Sequence, residues 1–182
     1  MFDDRMTLPD NIFLVGMMGS WKSTVGRRLA QQFAMTFIDT DDEVEKMAGR
    51  SIGEIVESEG MKYFRALEEE VLRKVAKTTH QVVATGGGIV LSRRNRKIIC
   101  RNGLTILLKS SPTVLFKRIS NLSRRPLLQN TDDPEKTLKE IWKDRRKMYE
   151  SVADIIIDTD NKDPLDTRKM IVNYLKENYA EN

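Results

Sequence analysis

The stretch Asn11-Ile-Phe-Leu-Val-Gly16-Met-Met-Gly19-Ser20-Trp21-Lys22-Ser23-Thr24 constrains the chain most: a short apolar strand runs into a glycine-containing turn and then into a helix starting near Lys22. This is the layout of a phosphate-binding loop. Successive backbone N–H groups and a helix N-terminus face the anion, a lysine neutralises the outer phosphates and a hydroxyl holds Mg2+. Gly16, Lys22 and Ser23 satisfy the pattern G-x-x-x-x-G-K-[ST], but Trp21 stands where the second glycine belongs. Glycine is used there because the backbone bends tightly and phosphate approaches it, so a side chain at positive φ costs about 1 kcal/mol or more. By itself the stretch also fits a buried edge strand and a glycine turn with a solvated lysine. The order strand, turn, amphipathic helix favours phosphate, with Val25, Leu29, Ala30 and Phe33 on one helical face.

With 182 residues the chain suits one domain, 1–182, that buries a core without metal or disulfide support, residues 1–10 forming a loose tail around Pro9. The longest apolar runs, 104–108 and 155–157, are strand-length, far below the roughly 20 residues of a membrane span. The acidic N-terminus lacks an apolar signal region. No membrane partner is expected. One cysteine, Cys100, excludes an internal disulfide and fits a reducing cytoplasm, while a single histidine, His80, argues against a histidine triad or zinc cluster. The net charge of +4 invites a nucleic-acid reading. The basic residues are mostly interleaved with acids, however, and no aromatic platform accompanies them, so no nucleic acid is expected. A small anionic substrate with a nucleotide is a better use for the excess cations. No heptad seam is visible, and a monomer is expected.

Along the chain, a helix over 22–33 precedes a strand over 35–38 that ends in Asp39-Thr40-Asp41-Asp42-Glu43. In an open parallel sheet these acids sit on the ligand-binding rim, although Asp41 or Thr40 could simply cap a helix over 42–47. Ser51-Ile-Gly-Glu54 is a capping box, and Gly60 separates its short helix from a longer one over 61–77 that carries Phe64-Arg65. A buried strand over 81–84 runs into Thr85-Gly86-Gly87-Gly88, either a flexible turn or a backbone stripped of side chains so that a ligand can press against it. A helix over 92–101, a strand over 104–108 and a helix over 113–121, capped by Ser111-Pro112, follow. The basic loop Ser123-Arg124-Arg125-Pro126-Leu127-Leu128 suits a lid over about 122–133 that closes on phosphates. A helix over 134–149, a strand over 154–158 and a helix over 166–177 end the chain. Five strands alternating with helices predict an α/β doubly wound parallel sheet whose carboxyl-edge loops form one site. Lysine, hydroxyl, acids, glycine backbone and arginines together suit phosphoryl transfer.

In order and spacing, the Gly16-Met-Met-Gly19 loop, Asp39-Thr-Asp41, Phe64-Arg65, Ala84-Thr-Gly-Gly-Gly88, Arg125-Pro-Leu-Leu128 and Arg145 four residues before Tyr149 resemble the shikimate kinases over residues 11–174. Each motif is weak alone; the ordered set is specific. The resemblance implies a nucleoside monophosphate kinase-like P-loop fold with a lid and a five-stranded sheet in order 2-3-1-4-5. It implies transfer of the ATP γ-phosphoryl group to the 3-hydroxyl of shikimate, giving shikimate 3-phosphate and ADP, in aromatic amino acid biosynthesis. On that resemblance Lys22, Asp41 and Arg125 are catalytic. Gly19, Ser20, Trp21, Lys22, Ser23 and Thr24 hold the ATP phosphates, with Arg118, Lys162 and Pro164 on the adenine side and Arg125 reaching over from the lid. Ser23 and Asp39 form the Mg2+ site. Asp41 holds the substrate hydroxyls, Arg65 and Arg145 grip the carboxylate, and Gly86, Gly87 and Gly88 line the ring. The chain departs from the pattern at Trp21, and at Lys147-Met148, where Pro-Leu is usual before Tyr149. Trp21 is tolerated if its ring packs outward on the lid or adenine side. Two other readings stay open: a degenerate kinase fold that binds shikimate or a partner without turnover, and a kinase of the same fold acting on gluconate or a nucleoside monophosphate.

Overall fold

The structure, a computed structural model, describes residues 7–119, 126–129 and 131–179. The Arg125 assignment and most of the first half of the expected lid therefore lie outside the described residues. A five-stranded sheet organises the rest: β1 (Asn11–Val15), β2 (Thr36–Asp39), β3 (Gln81–Ala84), β4 (Leu104–Lys109) and β5 (Ile155–Asp158), in the order β2-β3-β1-β4-β5 and parallel throughout. Parallel sheets need cover on both faces, so the central strand reads as a nearly unbroken apolar run. Alternate residues of β1 serve the two layers. Ile12 and Leu14 face the helices α1 (Lys22–Gln32) and α8 (Pro164–Tyr179), through Val25, Leu29, Ile171 and Leu175. Phe13 and Val15 face the opposite layer, where Leu72 of α3 (Ile52–Val75), Ile99 of α4 (Arg93–Arg101), Leu115 of α5 (Pro112–Arg118) and Leu138 and Tyr149 of α7 (Pro134–Glu150) are buried.

A smaller cluster of Val44, Ile55, Phe64 and Val71 ties α2 (Thr40–Ala48) to α3 beside the sheet. Gly60, at φ 80 and ψ 168, breaks α3 where the sequence predicts a separation. The Ser51–Glu54 capping box forms, Ser51 N donating to Glu54 Oε2 at 2.7 Å. Helix α2 starts differently from expectation. Asp39, at the end of β2, is the cap and accepts from the backbone N–H of Asp41 at 3.0 Å, so neither Thr40 nor Asp41 caps. Ser111 precedes α5 without capping it through its side chain, and α5 ends at Arg118. A short turn of helix, α6 (Pro126–Gln129), occupies part of the expected lid. Residues 7–10 are not loose. Thr7 N donates to Tyr179 O at 3.1 Å, Leu8 packs on the core and Asp10 O accepts from His80 N.

Strand register positions the site. Ala84 pairs with both Leu14 and Asp39, so the turns leaving β1, β2 and β3 emerge side by side at the carboxyl edge.

Candidate active site

The loop leaving β1 is held by its glycines. Gly16 sits at φ 146, and a Cβ there would come within 2.6 Å of the Leu108 carbonyl oxygen. Gly19 backs against Leu115 of α5, and Ser20 is fully buried beneath the loop. Trp21 is the residue before α1 and adopts φ 66, ψ 19, the left-handed conformation that glycine takes without penalty. The tryptophan thus keeps the backbone path that the glycine pattern requires, at the cost of strain. Lys22, the first residue of α1, folds back over the loop. Its Nζ donates to Met17 O at 2.8 Å and to Ser20 Oγ at 3.3 Å.

Ser23 Oγ donates to Asp39 Oδ2 at 2.6 Å, while Asp39 Oδ1 caps α2. One carboxylate thereby locks the phosphate loop to the end of β2. Hydroxyl and carboxylate are hard oxygen donors of the type Mg2+ takes alongside phosphate oxygens and water, so these residues fit the ion. Thr40, read from the sequence only as a possible helix cap, accepts from Gly86 N at 2.8 Å and joins α2 to the glycine turn. Thr85 adds a second tie, its Oγ1 donating to Leu14 O at 3.0 Å.

Two clefts open here. The smaller, about 200 Å3, is bounded by Gly19, Trp21, Lys22, Ser23, Thr24 and Asp39. The larger, about 670 Å3, is lined by Arg65, Glu68, Gly88 and Arg145, with the apolar side chains of Ile52, Val56, Met61 and Phe64. Met18, Asp41 and Gly87 border both.

The larger cleft is basic at one end. Arg145 lies on α7, and its Nη1 donates to Gly87 O at 3.1 Å; the same oxygen accepts from Tyr149 Oη. Burial pushes the Tyr149 phenol up to about 12, so it remains a donor at neutral pH. Arg65 Nη1 pairs with Glu68 Oε2 at 2.8 Å. The Arg65 guanidinium lies so close to Gly88 that any Cβ there would collide with it, and a Cβ on Gly86 would collide with Asp41 Oδ1. The bare glycine backbone is therefore what lets a cation and an acid lie against the turn.

Glu68 was not identified from the sequence. It is 1% exposed, and its Oε1 has no hydrogen-bond partner among the described residues. Burial raises its carboxyl above the ordinary value, with Arg65 and Arg145 pulling the other way. Its spacing from Arg65, one helical turn, was the available signal, but Glu69 shares that spacing.

At the start of α1, Arg118 Cζ stacks 3.4 Å over the Trp21 ring. Arg118 Nη1 donates to Ser110 Oγ at 2.8 Å and Thr159 Oγ1 at 3.0 Å. Nη2 approaches Lys162 O at 3.5 Å, and Pro164 opens α8 nearby in sequence. Of the residues expected at the site, all but Arg125 lie among those described, on the carboxyl-edge turns and the helices that flank them.

The sequence model of the family described as shikimate kinase matches residues 18–179. The chain belongs to the shikimate kinase family. The shikimate kinase of Histophilus somni (strain 2336) is 44% identical over 152 residues, covering 84% of this chain and 87% of that protein. The shikimate kinase of Caldanaerobacter subterraneus subsp. tengcongensis is 45% identical over 152 residues, covering 84% and 88%. A solved structure, the shikimate kinase from Acinetobacter baumannii in complex with shikimate, matches with a TM-score of 0.90 at 36% identity over 95% of this chain and 96% of that one. Membership of the shikimate kinase family makes the chain an ATP-dependent kinase that phosphorylates a hydroxyl group. It displaces the gluconate and nucleoside monophosphate alternatives.

Proposed function

We propose that this chain binds Mg-ATP through the smaller cleft and shikimate in the larger one, and transfers the γ-phosphoryl group to the 3-hydroxyl of shikimate. The observation that carries this reading is the wall shared by the two clefts, where Asp41 faces both a lysine-bearing phosphate loop and a cavity with two arginines. Arg65 and Arg145 bind the substrate carboxylate, since a planar guanidinium fork matches two carboxylate oxygens. The side-chain-free turn Gly86, Gly87 and Gly88 accepts the ring. Asp41 orients the acceptor hydroxyl toward the phosphate pocket.

The hydroxyl oxygen forms a bond to the γ-phosphorus as the bond from that phosphorus to the bridging β–γ oxygen breaks. ADP leaves with the bond's electron pair, and the hydroxyl proton passes to Asp41. In a loose transition state this proton leaves late, so Asp41 needs position more than basicity. Lys22 stabilises charge on the β and γ oxygens, helped by the backbone N–H groups of Gly19 through Thr24. Ser23 and Asp39 would hold Mg2+, which supplies charge neutralisation at the phosphates. Arg118, Lys162 and Pro164 form the base side, and Arg125 acts from the lid. The chain works as a monomer in the cytoplasm.

Coupled ADP release with Mg-ATP, with and without shikimate, tests the reading on the parent and on Lys22→Ala. Shikimate-dependent turnover is expected, with kcat falling by about 10²–10³ in the variant, the scale for losing one electrostatic stabiliser. Shikimate binding without turnover in the parent would favour the non-catalytic alternative that Trp21 raises.

A further inference from the structure

Tyr149 is the largest fully buried side chain among the described residues, and it carries a hydroxyl into the core cluster of Phe13, Leu115 and Leu138. A buried phenol needs a hydrogen-bond partner. Its partner is the carbonyl oxygen of Gly87, in the turn that borders both clefts. Helix α7 runs unbroken to Glu150 through Lys147 and Met148, where the family pattern carries Pro-Leu. Arg145 and Tyr149 therefore stand about one helical turn apart on one face and reach the same oxygen.

That shared oxygen gives the hydroxyl a task beyond filling the core, a step that rests on the reading of Arg145 as an anchor for the substrate carboxylate. A carbonyl oxygen has two lone pairs, and here Tyr149 Oη takes one while Arg145 Nη1 takes the other at 3.1 Å. The peptide is trans and planar, so holding the Gly87 carbonyl against α7 also turns the Gly88 N–H the opposite way. Gly87 is backed by the phosphate loop as well, since a Cβ on it would lie 3.5 Å from Met18 N and 3.8 Å from Gly16 O. That loop has its own supports, Gly16 against Leu108 and Lys22 against Met17. If the phenol oxygen is removed, Arg145 is the donor that remains at Gly87 O. Its guanidinium then settles on the turn at the expense of a ligand.

We propose that Tyr149 is a positioning residue for substrate binding: by donating to Gly87 O it shares that oxygen with Arg145 and keeps the rest of the Arg145 fork turned into the larger cleft. Arg145 borders that cleft, whereas Tyr149 is not among the described residues that bound either one. The phenol thus acts through the arginine and does not touch the substrate.

Tyr149→Phe removes the oxygen and keeps the ring, so the core stays filled. In steady-state kinetics with shikimate and ATP varied in turn, KM for shikimate is expected to rise about tenfold, the scale of one hydrogen bond involving a charged group. The loss of an anchor that holds ground state and transition state alike acts on KM alone, so kcat and KM for ATP should stay within about twofold. A hydroxyl with only a structural role would lower the active fraction, and with it kcat, while leaving both KM values in place. That result would overturn the proposal. Trp142→Phe alters the ring stacked 6.1 Å from Tyr149 without touching the hydroxyl, and should leave KM for shikimate unchanged. A comparable rise there would overturn the proposal by assigning the effect to packing. In an Arg145→Lys background, Tyr149→Phe should add less than about twofold, because the group it positions is already gone. The full rise in that background would overturn it too, since the hydroxyl would then act on something other than Arg145. If the parent neither turns over shikimate nor binds it in calorimetry, the substrate reading falls and takes this inference with it; turnover in the parent with unchanged kinetics in Tyr149→Phe overturns this inference alone.

Discussion

Glu68 is buried against Arg65 with one oxygen unpartnered among the described residues, and this places a titration inside the larger cleft. Its carboxyl is held above the ordinary 4.5 chiefly by burial, against the pull of Arg65 and then Arg145. The folded chain therefore retains a proton on Glu68 at pH values where the unfolded chain has released it. Stability from this group is fully present below 4.5 and declines as the pH rises through the raised folded value. Glu68→Gln has no such titration. The unfolding free energy of the parent minus that of the variant, from urea curves at pH 4 to 7, should fall as the pH rises. A difference that stays flat would show that Glu68 ionises alike in both states. Legibility at this scale divides along the same line. Lys22, Ser23 and Asp39 could be read because each belongs to a local pattern with a chemical reason for its spacing. Glu68 is one of three consecutive acids on α3, and only the packing of that helix selects which of the three is buried.

Among the elements, α3 does two jobs. Its first arm, 52–59, covers the larger cleft with Ile52 and Val56, while its second, 61–75, carries Arg65 and Glu68 and packs onto the sheet through Leu72. The change of direction falls on Gly60, whose φ and ψ lie in a region that side chains essentially never occupy. A Cβ built there meets nothing within 4 Å, so a substitution is opposed by the backbone alone. Gly60→Ala should cost about 1–3 kcal/mol in denaturant unfolding. Because straightening α3 moves Arg65 relative to Gly88, KM for shikimate should rise while KM for ATP stays. Equal changes in both would place the effect outside the substrate arm. The break at Gly60 and the Ser51–Glu54 box were legible because their causes lie within a few residues. The cap of α2 was not, since Asp39, Thr40 and Asp41 are all competent caps. Asp39 fills the role while also receiving Ser23 from sixteen residues away.

For the whole molecule, the consequence of the strand order is that β1 lies between β3 and β4 and delivers its phosphate loop beside the glycine turn. Alternation of strands and helices made the doubly wound class legible. The order of the strands came from resemblance, because nothing in the apolar runs says which neighbour a strand chooses. The anchoring of residues 7–10 was hidden for the same reason, since Thr7 finds its partner at Tyr179. Two clefts with a common wall but different anchors predict separable ligand stabilisation. A ligand at 100 times its Kd stabilises the folded chain by about 2.7 kcal/mol. At roughly 2–4 °C per kcal/mol for a chain of this size, shikimate and ADP should each raise Tm by roughly 5–10 °C. Arg145→Lys keeps the charge but loses the planar fork, so at the same ligand concentration it should lose most of the shikimate shift and keep that of ADP. Lys22→Ala should do the reverse. Loss of both shifts in either variant would mean that the common wall at Met18, Asp41 and Gly87 couples the clefts into one binding unit, since removing an anchor on one side would then have deformed the other.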